Sequence, residues 1–440
     1  VLLGLDIGSW SLIIVVTMVG LLALGVPLAF TTGGIAVALC LGLFGPQSLL
    51  LLATRSFAFL DSYVLVAVPF FIFMAALLER SGLTRDLYDA VRVWMGRLPG
   101  GAAVVTTIFA IIVGAIIGVA GGEMVLLGLV ALPQLLRLGY DRRLSLGLVC
   151  ATGALGSMIP PALTLVFFGL AAGVSVGDLF TASFLPGLLL AGLYMAYAVG
   201  RCLIDPTLGP PMPADEMPRG FVGKLAATRK VALPLAVLFG TLGSIYLGLA
   251  SVTESAAVGA FGTMAAIALR RELTPAMLRE ALIQTMAACG MVLWLVIGTN
   301  ALIGVYNIMG GIDFARASLT TRPLPSWAIV LVMVAVWVLL GCFLDWIAIL
   351  LLTVPIFMPT ILALDYDPIW FGTLFNLAIQ IGYLTPPFAP AAFFLKSVAP
   401  PEVTLEEIYA SLWPFIGLQL VTLAIVMLFP GVATWLPNLR

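Results

Sequence analysis

Four long stretches of this 440-residue chain, residues 7–54, 144–177, 281–312 and 408–439, contain no Asp, Glu, Lys or Arg. No water-soluble domain can present such stretches as surface, whereas about 20 mainly apolar residues suffice for one membrane-crossing helix. In the whole chain 41 residues are charged, 20 basic and 21 acidic, while 62% are hydrophobic and the mean hydropathy is +1.18. That content is enough for roughly ten to twelve spans. The expected fold class is an all-α polytopic membrane protein.

Composition removes several functions. The chain has no histidine, which excludes a His-based triad, the usual zinc and haem sites and an imidazole proton relay. Cys40, Cys150, Cys202, Cys289 and Cys342 stand far apart and form no CxxC pair, so they read as buried thiols rather than a redox or metal centre. A net charge of -1 without a basic cluster argues against a nucleic-acid partner. The first apolar run follows no basic n-region or small-residue cleavage site and reads as a retained span. No G-x-x-x-x-G-K-S/T loop is present, so the chain is not itself powered by ATP.

Apolar runs and their punctuation place spans at 11–30, 32–45 and 64–79, then an amphipathic stretch at 80–97. An apolar segment at 101–136 is interrupted at Gly118, Gly121, Gly122 and Glu123, and 145–172 is broken at Pro160 and Pro161. A span at 182–200 leads into a polar linker at 204–230, followed by spans at 231–250, 254–269 and 280–305. A polar stretch near 313–325 precedes an interrupted segment at 326–364, a segment at 371–395 broken at Pro386 and Pro387, and a last span at 408–429.

The linker divides two related halves. Residues 133–168 align without a gap onto 359–394 at a constant offset of 226, with 11 of 36 positions identical, including Tyr140-Asp141 with Tyr366-Asp367, Gly156 with Gly382, and Pro160-Pro161 with Pro386-Pro387. Further on, Ala182-Ser183 and Pro186 match Ala410-Ser411 and Pro414. Charge placement orients the halves. Arg137, Arg142 and Arg143 flank the first loop, and Asp365 and Asp367 flank its mate, so the positive-inside rule puts the first loop in the cytoplasm and the second outside. Five full crossings separate the two loops if the interrupted segments re-enter, and an odd number demands opposite sides. Arg80, Arg85, Arg92 and Arg97, the basic residues within 201–230, and Arg270-Arg271 fall inside in the same scheme; Arg316 and Arg322 fall in an external interfacial stretch.

Inverted repeats with helices broken at mid-depth are the sequence pattern of a secondary transporter whose site lies near the bilayer midplane. Proline has no N–H, so Pro160-Pro161 would leave the carbonyls of Gly156 and Ser157 without helical partners, and Pro386-Pro387 those of Gly382 and Tyr383. Irregular backbone at that depth is tolerated where it packs in protein or lines a cavity, and a small cation such as Na⁺ would satisfy those oxygens. Half-helices starting at Pro160 and Pro386 would aim positive dipole ends at an anionic solute. The plain structural alternative is a pair of kinked helices whose gaps are filled by water or hydroxyls.

Glu123 sits about halfway along its interrupted segment, and Asp345 follows Gly341 in the other. A mid-membrane carboxylate is a functional candidate; equally, each acid could cap the second helix of its hairpin. Glu254 closes a Ser251-to-Glu254 capping box. No Lys or Arg falls within either broken-helix region, so a solute carboxylate would be neutralised by bound cations, helix N-termini and the hydroxyls of Thr152, Ser157 and Thr385.

The runs VPFFIFMAALLERSGL (68–83), GRLPGG (96–101), GYD (139–141) and GALGSMIPP through VSVGDLF (153–180) resemble the large membrane subunit of TRAP transporters, the tripartite ATP-independent periplasmic family. TESAAVGA (253–260), GCFLD (341–345) and IGYLTPP (381–387) continue the match over nearly the whole chain. The tip sequence GVAGGE (118–123) looks closest to the branch labelled mannitol or chloroaromatic transport. The resemblance implies a Na⁺-driven importer of an organic acid in a bacterial inner membrane. It further implies a periplasmic solute-binding protein and a small four-helix membrane subunit as partners, no organic cofactor, and an elevator mechanism of the ion-transporter superfamily kind.

By the same resemblance, re-entrant hairpins fall at 101–138 and 326–364. Residues 1–100 supply scaffold helices and an amphipathic arm, 101–203 the first transport half, 204–230 a cytoplasmic linker, 231–325 further scaffold and 326–440 the second transport half. Expected Na⁺ ligands are Gly118, Gly122, Glu123, Thr152, Gly156, Ser157, Gly341, Asp345, Gly382, Tyr383 and Thr385. The expected solute contacts are Glu123, Ser157, Pro160, Asp345, Thr385 and Pro386. Rival readings are a stand-alone cation-coupled anion symporter or antiporter and, more remotely, a membrane-embedded enzyme.

Overall fold

The computed structural model describes residues 5–94, 98–118, 121–211, 228, 232–320 and 324–439. Arg97, Arg219, Lys224, Arg229, Lys230, Arg322 and most of the 204–230 linker lie outside the described residues. The first half runs α1 (Ile7–Ala23), α2 (Leu28–Leu39), α3 (Leu49–Leu60), α4 (Ala67–Arg80), α5 (Leu83–Arg92), α6 (Gly101–Ile117), α7 (Gly122–Arg137), α8 (Arg142–Leu155), α9 (Leu163–Ala172) and α10 (Val176–Ile204). The second runs α11 (Ala232–Tyr246), α12 (Val252–Leu269), α13 (Pro275–Ile308), α14 (Gly311–Thr320), α15 (Ser326–Gly341), α16 (Trp346–Ala363), α17 (Pro368–Leu384), α18 (Pro390–Val398), α19 (Leu405–Leu428) and α20 (Gly431–Thr434).

Six of the described helices are long and apolar enough to cross a membrane, or seven when the bent α8–α9 pair counts as one span. Apolar content alone suggested ten to twelve. The difference lies in how the apolar residues are spent. Five further apolar helices, α1, α2 with the turn after it, α6, α11 and α15, have 10–17 residues, and at 1.5 Å per residue even 17 reach only about 25 Å, short of a ~30 Å hydrocarbon core. The partner of α15, α16, has 18 residues and passes by length. Two further helices were not read as such from sequence. Arg55 and Ser56 interrupt the apolar run of α3, and α14 occupies the polar stretch after α13.

Caps set the helix starts that matter for the site. Asp141 accepts from the Leu144 amide at 2.8 Å and Asp367 from the Ile369 amide at 2.7 Å. The repeated Tyr-Asp pair is therefore a repeated N-cap, satisfying amides that the first helical turn leaves over. Ser251 and Glu254 form a complete capping box at α12.

Packing between the halves is reciprocal. The inner hairpin helix α7 lies on α8 of its own half and α18 of the other, while α16 lies on α17 of its own half and α9 of the other. Likewise α19 packs on α8 and α10 on α17. Such exchange is what an approximate two-fold relation between repeats produces. Around this body α13 packs on α2, α3 and α4, and α12 on α4 and α11. The amphipathic α5 rests on α6 and is tied to the end of α12, where Arg270 bonds Asp86 at 2.5 Å and Glu272 at 2.9 Å.

Both proline pairs break their helices. After α8 a short turn spans Gly156–Met158, and the backbone is extended at Ile159 and Ala162 before α9 departs at a 41° bend. After α17, Thr385 is extended and α18 begins at Pro390. The peptide bonds Pro160-Pro161 and Pro386-Pro387 are both cis. The half-helices thus start at Leu163 and Pro390 rather than at Pro160 and Pro386. The residue preceding a proline is pushed out of the α region, so two successive prolines hold the chain extended, and a helix resumes only beyond them.

Candidate ion and solute site

Each break is gripped by the hairpin of its own half through a pair of glycines. A Cβ built on Gly114 of α6 would overlap the Gly156 backbone, and one built on Gly156 would fall on the Glu123 carboxylate. In the second half a Cβ on Gly341 would sit 2.9 Å from the Gly382 Cα, and one on Gly382 2.6 Å from the Gly341 Cα. At the first tip Gly118 has φ +60° and its carbonyl accepts from the Leu163 amide at 3.1 Å. The tip therefore touches the chain on both sides of the first break.

The carbonyls expected to be free are mostly engaged within the protein. Gly156 O accepts from the Ile159 amide at 3.2 Å, and Gly382 O from the Thr385 amide at 3.1 Å. Ser157 O accepts from Asn376 Nδ2 at 3.0 Å, while Thr164 donates to Asn376 Oδ1 at 3.0 Å. One amide side chain from α17 thus spans the first break. One turn later Gln380 Nε2 donates to Ser157 Oγ at 3.2 Å. Sequence reasoning passed over Asn376 and Gln380 because their repeat-mates are Cys150 and Ala154, so comparing the halves hides them. The available signal was two amides one turn apart in a charge-free apolar segment, since buried amides require partners.

The hydroxyls and acids divide into different situations. Thr152 donates to Leu148 O at 2.7 Å, Ser157 to Ala154 O at 2.9 Å and Thr385 to Ile381 O at 2.6 Å. Their protons are spent on their own helices, leaving oxygen lone pairs to accept. Asp345 is the N-cap of α16, accepting from the Ile347 amide at 3.0 Å. Glu123 is not a cap: Gly121 occupies that position, no side chain caps α7, and neither Glu123 oxygen has a hydrogen-bond partner among the described residues. It is nonetheless 1% exposed. The capping alternative therefore holds for one acid and fails for the other. Gly122 opens α7 beside Glu123 with no other atom crowding its Cβ position.

Between helices α4 and α13 and the second hairpin lies a cavity of about 630 Å³, lined by Gly341, Asp345, Tyr383, Phe394 and Leu163 among others. No Lys or Arg lines it. The Tyr383 hydroxyl is buried without a partner among the described residues, and its ring stacks on Phe394 with centroids 6.4 Å apart. The Phe394 ring in turn approaches Gly121 of the first tip, 3.1 Å from where a Cβ would stand. The fold thus gathers Gly118, Glu123, Gly156, Ser157, Pro160 and Pro161 at one break. It gathers Gly341, Asp345, Gly382, Tyr383, Thr385, Pro386 and Pro387 at the other, and joins them through the Tyr383–Phe394 stack. Thr152 lies a turn back in α8, where its hydroxyl serves the helix.

Comparison with known proteins agrees with this architecture. Among solved structures, the chain is similar to the YdaH transporter of Alcanivorax borkumensis, with a TM-score of 0.64 over 89% of this chain and 90% of that one at 15% identity, a likeness of fold. Among curated proteins, it is 30% identical over 409 residues to the C4-dicarboxylate TRAP transporter large permease protein DctM of Pseudomonas aeruginosa, covering 92% of this chain and 93% of that one. It is 28% identical to the ectoine TRAP transporter large permease protein TeaC of Halomonas elongata, covering 97% and 99%. The family model for the tripartite ATP-independent periplasmic transporter, DctM component, matches residues 15–432. The chain belongs to that family: it is a TRAP transporter large permease, a multi-pass protein of the bacterial inner membrane and a transport component rather than an enzyme.

Proposed function

We propose that this permease imports an organic acid by Na⁺ coupling, receiving it from a periplasmic solute-binding protein and working with a small four-helix membrane subunit. The observation that carries this reading is the pair of hairpin tips closed on two helix breaks, each with an acid and with no Lys or Arg beside it. An anion entering such a low-dielectric site needs counter-charge, and bound cations supply it. Asp345, with the Gly341 carbonyl, the second lone pair of the Gly382 carbonyl and the oxygens of Tyr383 and Thr385, offers one oxygen-rich Na⁺ set. Glu123 with Gly118, Gly122, Gly156 and Ser157 offers the other. The solute would lie between them, against Ser157, Pro160, Thr385 and Pro386. Residues 101–203 and 326–440 would move as a transport unit against 1–100 and 231–325, in the elevator manner.

The test is uptake in vesicles holding the permease, its small subunit and its binding protein. An inward Na⁺ gradient is expected to drive accumulation without ATP. Asp345→Ala is expected to lower the initial rate by about tenfold or more, and Glu123→Gln to lower the rate or its Na⁺ dependence. Uptake indifferent to Na⁺ overturns the coupling, and uptake without any binding protein favours the stand-alone symporter instead.

A further inference from the structure

The cavity at the second hairpin has a chemistry of its own. Its walls include Trp346, Tyr383, Phe388, Phe393 and Phe394, and its one acid is Asp345. The rings are held as fixed plates: Tyr383 stacks on Phe394 at 23°, and Phe388 lies 5.3 Å from Phe393. Phe167 meets Trp346 edge-on at 5.8 Å, which pins the indole from behind. Phe388, Phe393 and Phe394 remain 50%, 45% and 40% exposed, so their faces are open to an occupant.

A site for two carboxylates alone would present Arg or Lys or several side-chain amides. This one presents the starts of α9, α16 and α18 at Leu163, Trp346 and Pro390, which suit one carboxylate, together with ring faces, which carry negative potential, and the Asp345 carboxylate, bonded by the Ile347 amide. Ring faces around a carboxylate are the arrangement that recognises alkylated ammonium groups, because such cations are weakly hydrated and gain from both. A volume of about 630 Å³ suits a small solute.

We propose that this cavity is an ammonium-binding pocket, so that the transported organic acid also carries an alkylated ammonium group held between Asp345 and the ring faces. The proposal rests on the transport reading above and narrows its solute to compact zwitterions. Sodium held by the Glu123 set then balances the solute carboxylate, and Asp345 balances the nitrogen in place of a second Na⁺.

Glycine betaine and its carbon isostere tert-butylacetate have the same shape and carboxylate and differ in the cationic nitrogen. Isothermal titration of the full chain in lipid nanodiscs, with these two probes and succinate, in KCl and in NaCl, separates the cases. Betaine is expected to bind about tenfold more tightly than tert-butylacetate or succinate. Asp345→Asn keeps an N-cap residue on α16 and is expected to reduce betaine to the level of its isostere. Phe394→Leu keeps apolar area, removes a ring face and is expected to weaken betaine about threefold or more while leaving tert-butylacetate nearly unchanged. Equal or tighter binding of either nitrogen-free probe, no binding of betaine, or a betaine preference that survives both substitutions overturns the proposal. Should Asp345→Asn fail to fold, Phe394→Leu decides. The salt comparison stands apart: identical titrations in KCl and NaCl would remove the Na⁺ coupling while leaving the probe selectivity to be read by itself.

Discussion

Gly156→Ala is expected to abolish uptake and to destabilise the protein by roughly 2–3 kcal/mol, near the upper part of the usual cost of overpacking a core. The new methyl group falls on the Glu123 carboxylate, and that side chain has little freedom to retreat. Its neighbours Met124 and Leu127 are fully buried, and Met124 already packs against Gly153. On the opposite side Gly114 closes on Gly156. The helix break and hairpin tip must therefore part. Thermal denaturation of the purified variant, read beside vesicle uptake, measures both effects. Gly192→Ala in α10, where nothing lies within 4 Å of the added carbon, is expected to match wild type. Combining Gly156→Ala with Glu123→Ala removes the colliding carboxylate, and the double-mutant cycle should show recovered stability without recovered uptake.

The second large effect is expected at Asn376. Replacing it by Leu strips partners from Ser157 O and from the Thr164 hydroxyl, both in a fully packed region where an orphaned polar group costs ~1–3 kcal/mol. A loss of roughly 2–4 kcal/mol follows, with the denaturation midpoint as the readout. Gln380→Leu removes a single bond to Ser157 Oγ and is expected to cost about 1 kcal/mol. The order matters more than the values. If Gln380→Leu were the more damaging of the two, Asn376 would not be the clamp across the first break.

The sequence carried the helix breaks because proline's missing N–H acts locally, and the repeat register exposed Gly156 and Gly382 as a pair. The charge-free segments fixed the class of fold, and the hairpins showed themselves through glycine and an acid at mid-run. What stayed hidden depends on which surfaces meet. Asn376 and Gln380 bond to the other half of the chain, and no periodicity or spacing reports a contact between residues more than two hundred positions apart. Asp345 and Glu123 looked equivalent in sequence. Yet one finds an amide to cap and the other packs against a glycine, a difference set by Gly121 taking the cap position in the first tip where Asp345 takes it in the second. The start of α9 was misplaced for a simpler reason: Pro161 follows a second proline, which keeps the chain extended until Ala162.

These points converge on two repeats of opposite orientation that bring their proline breaks together inside the bilayer. The direct measurement is sidedness at repeat-equivalent ends, using single cysteines in a background with the native thiols replaced. Arg143 and Ala363 are both exposed beside the two equivalent loops. With a membrane-impermeant maleimide on intact spheroplasts, Ala363→Cys is expected to label at once, and Arg143→Cys only after the membrane is opened. Labelling of both positions from the same face would contradict the inverted arrangement and the shared site built on it.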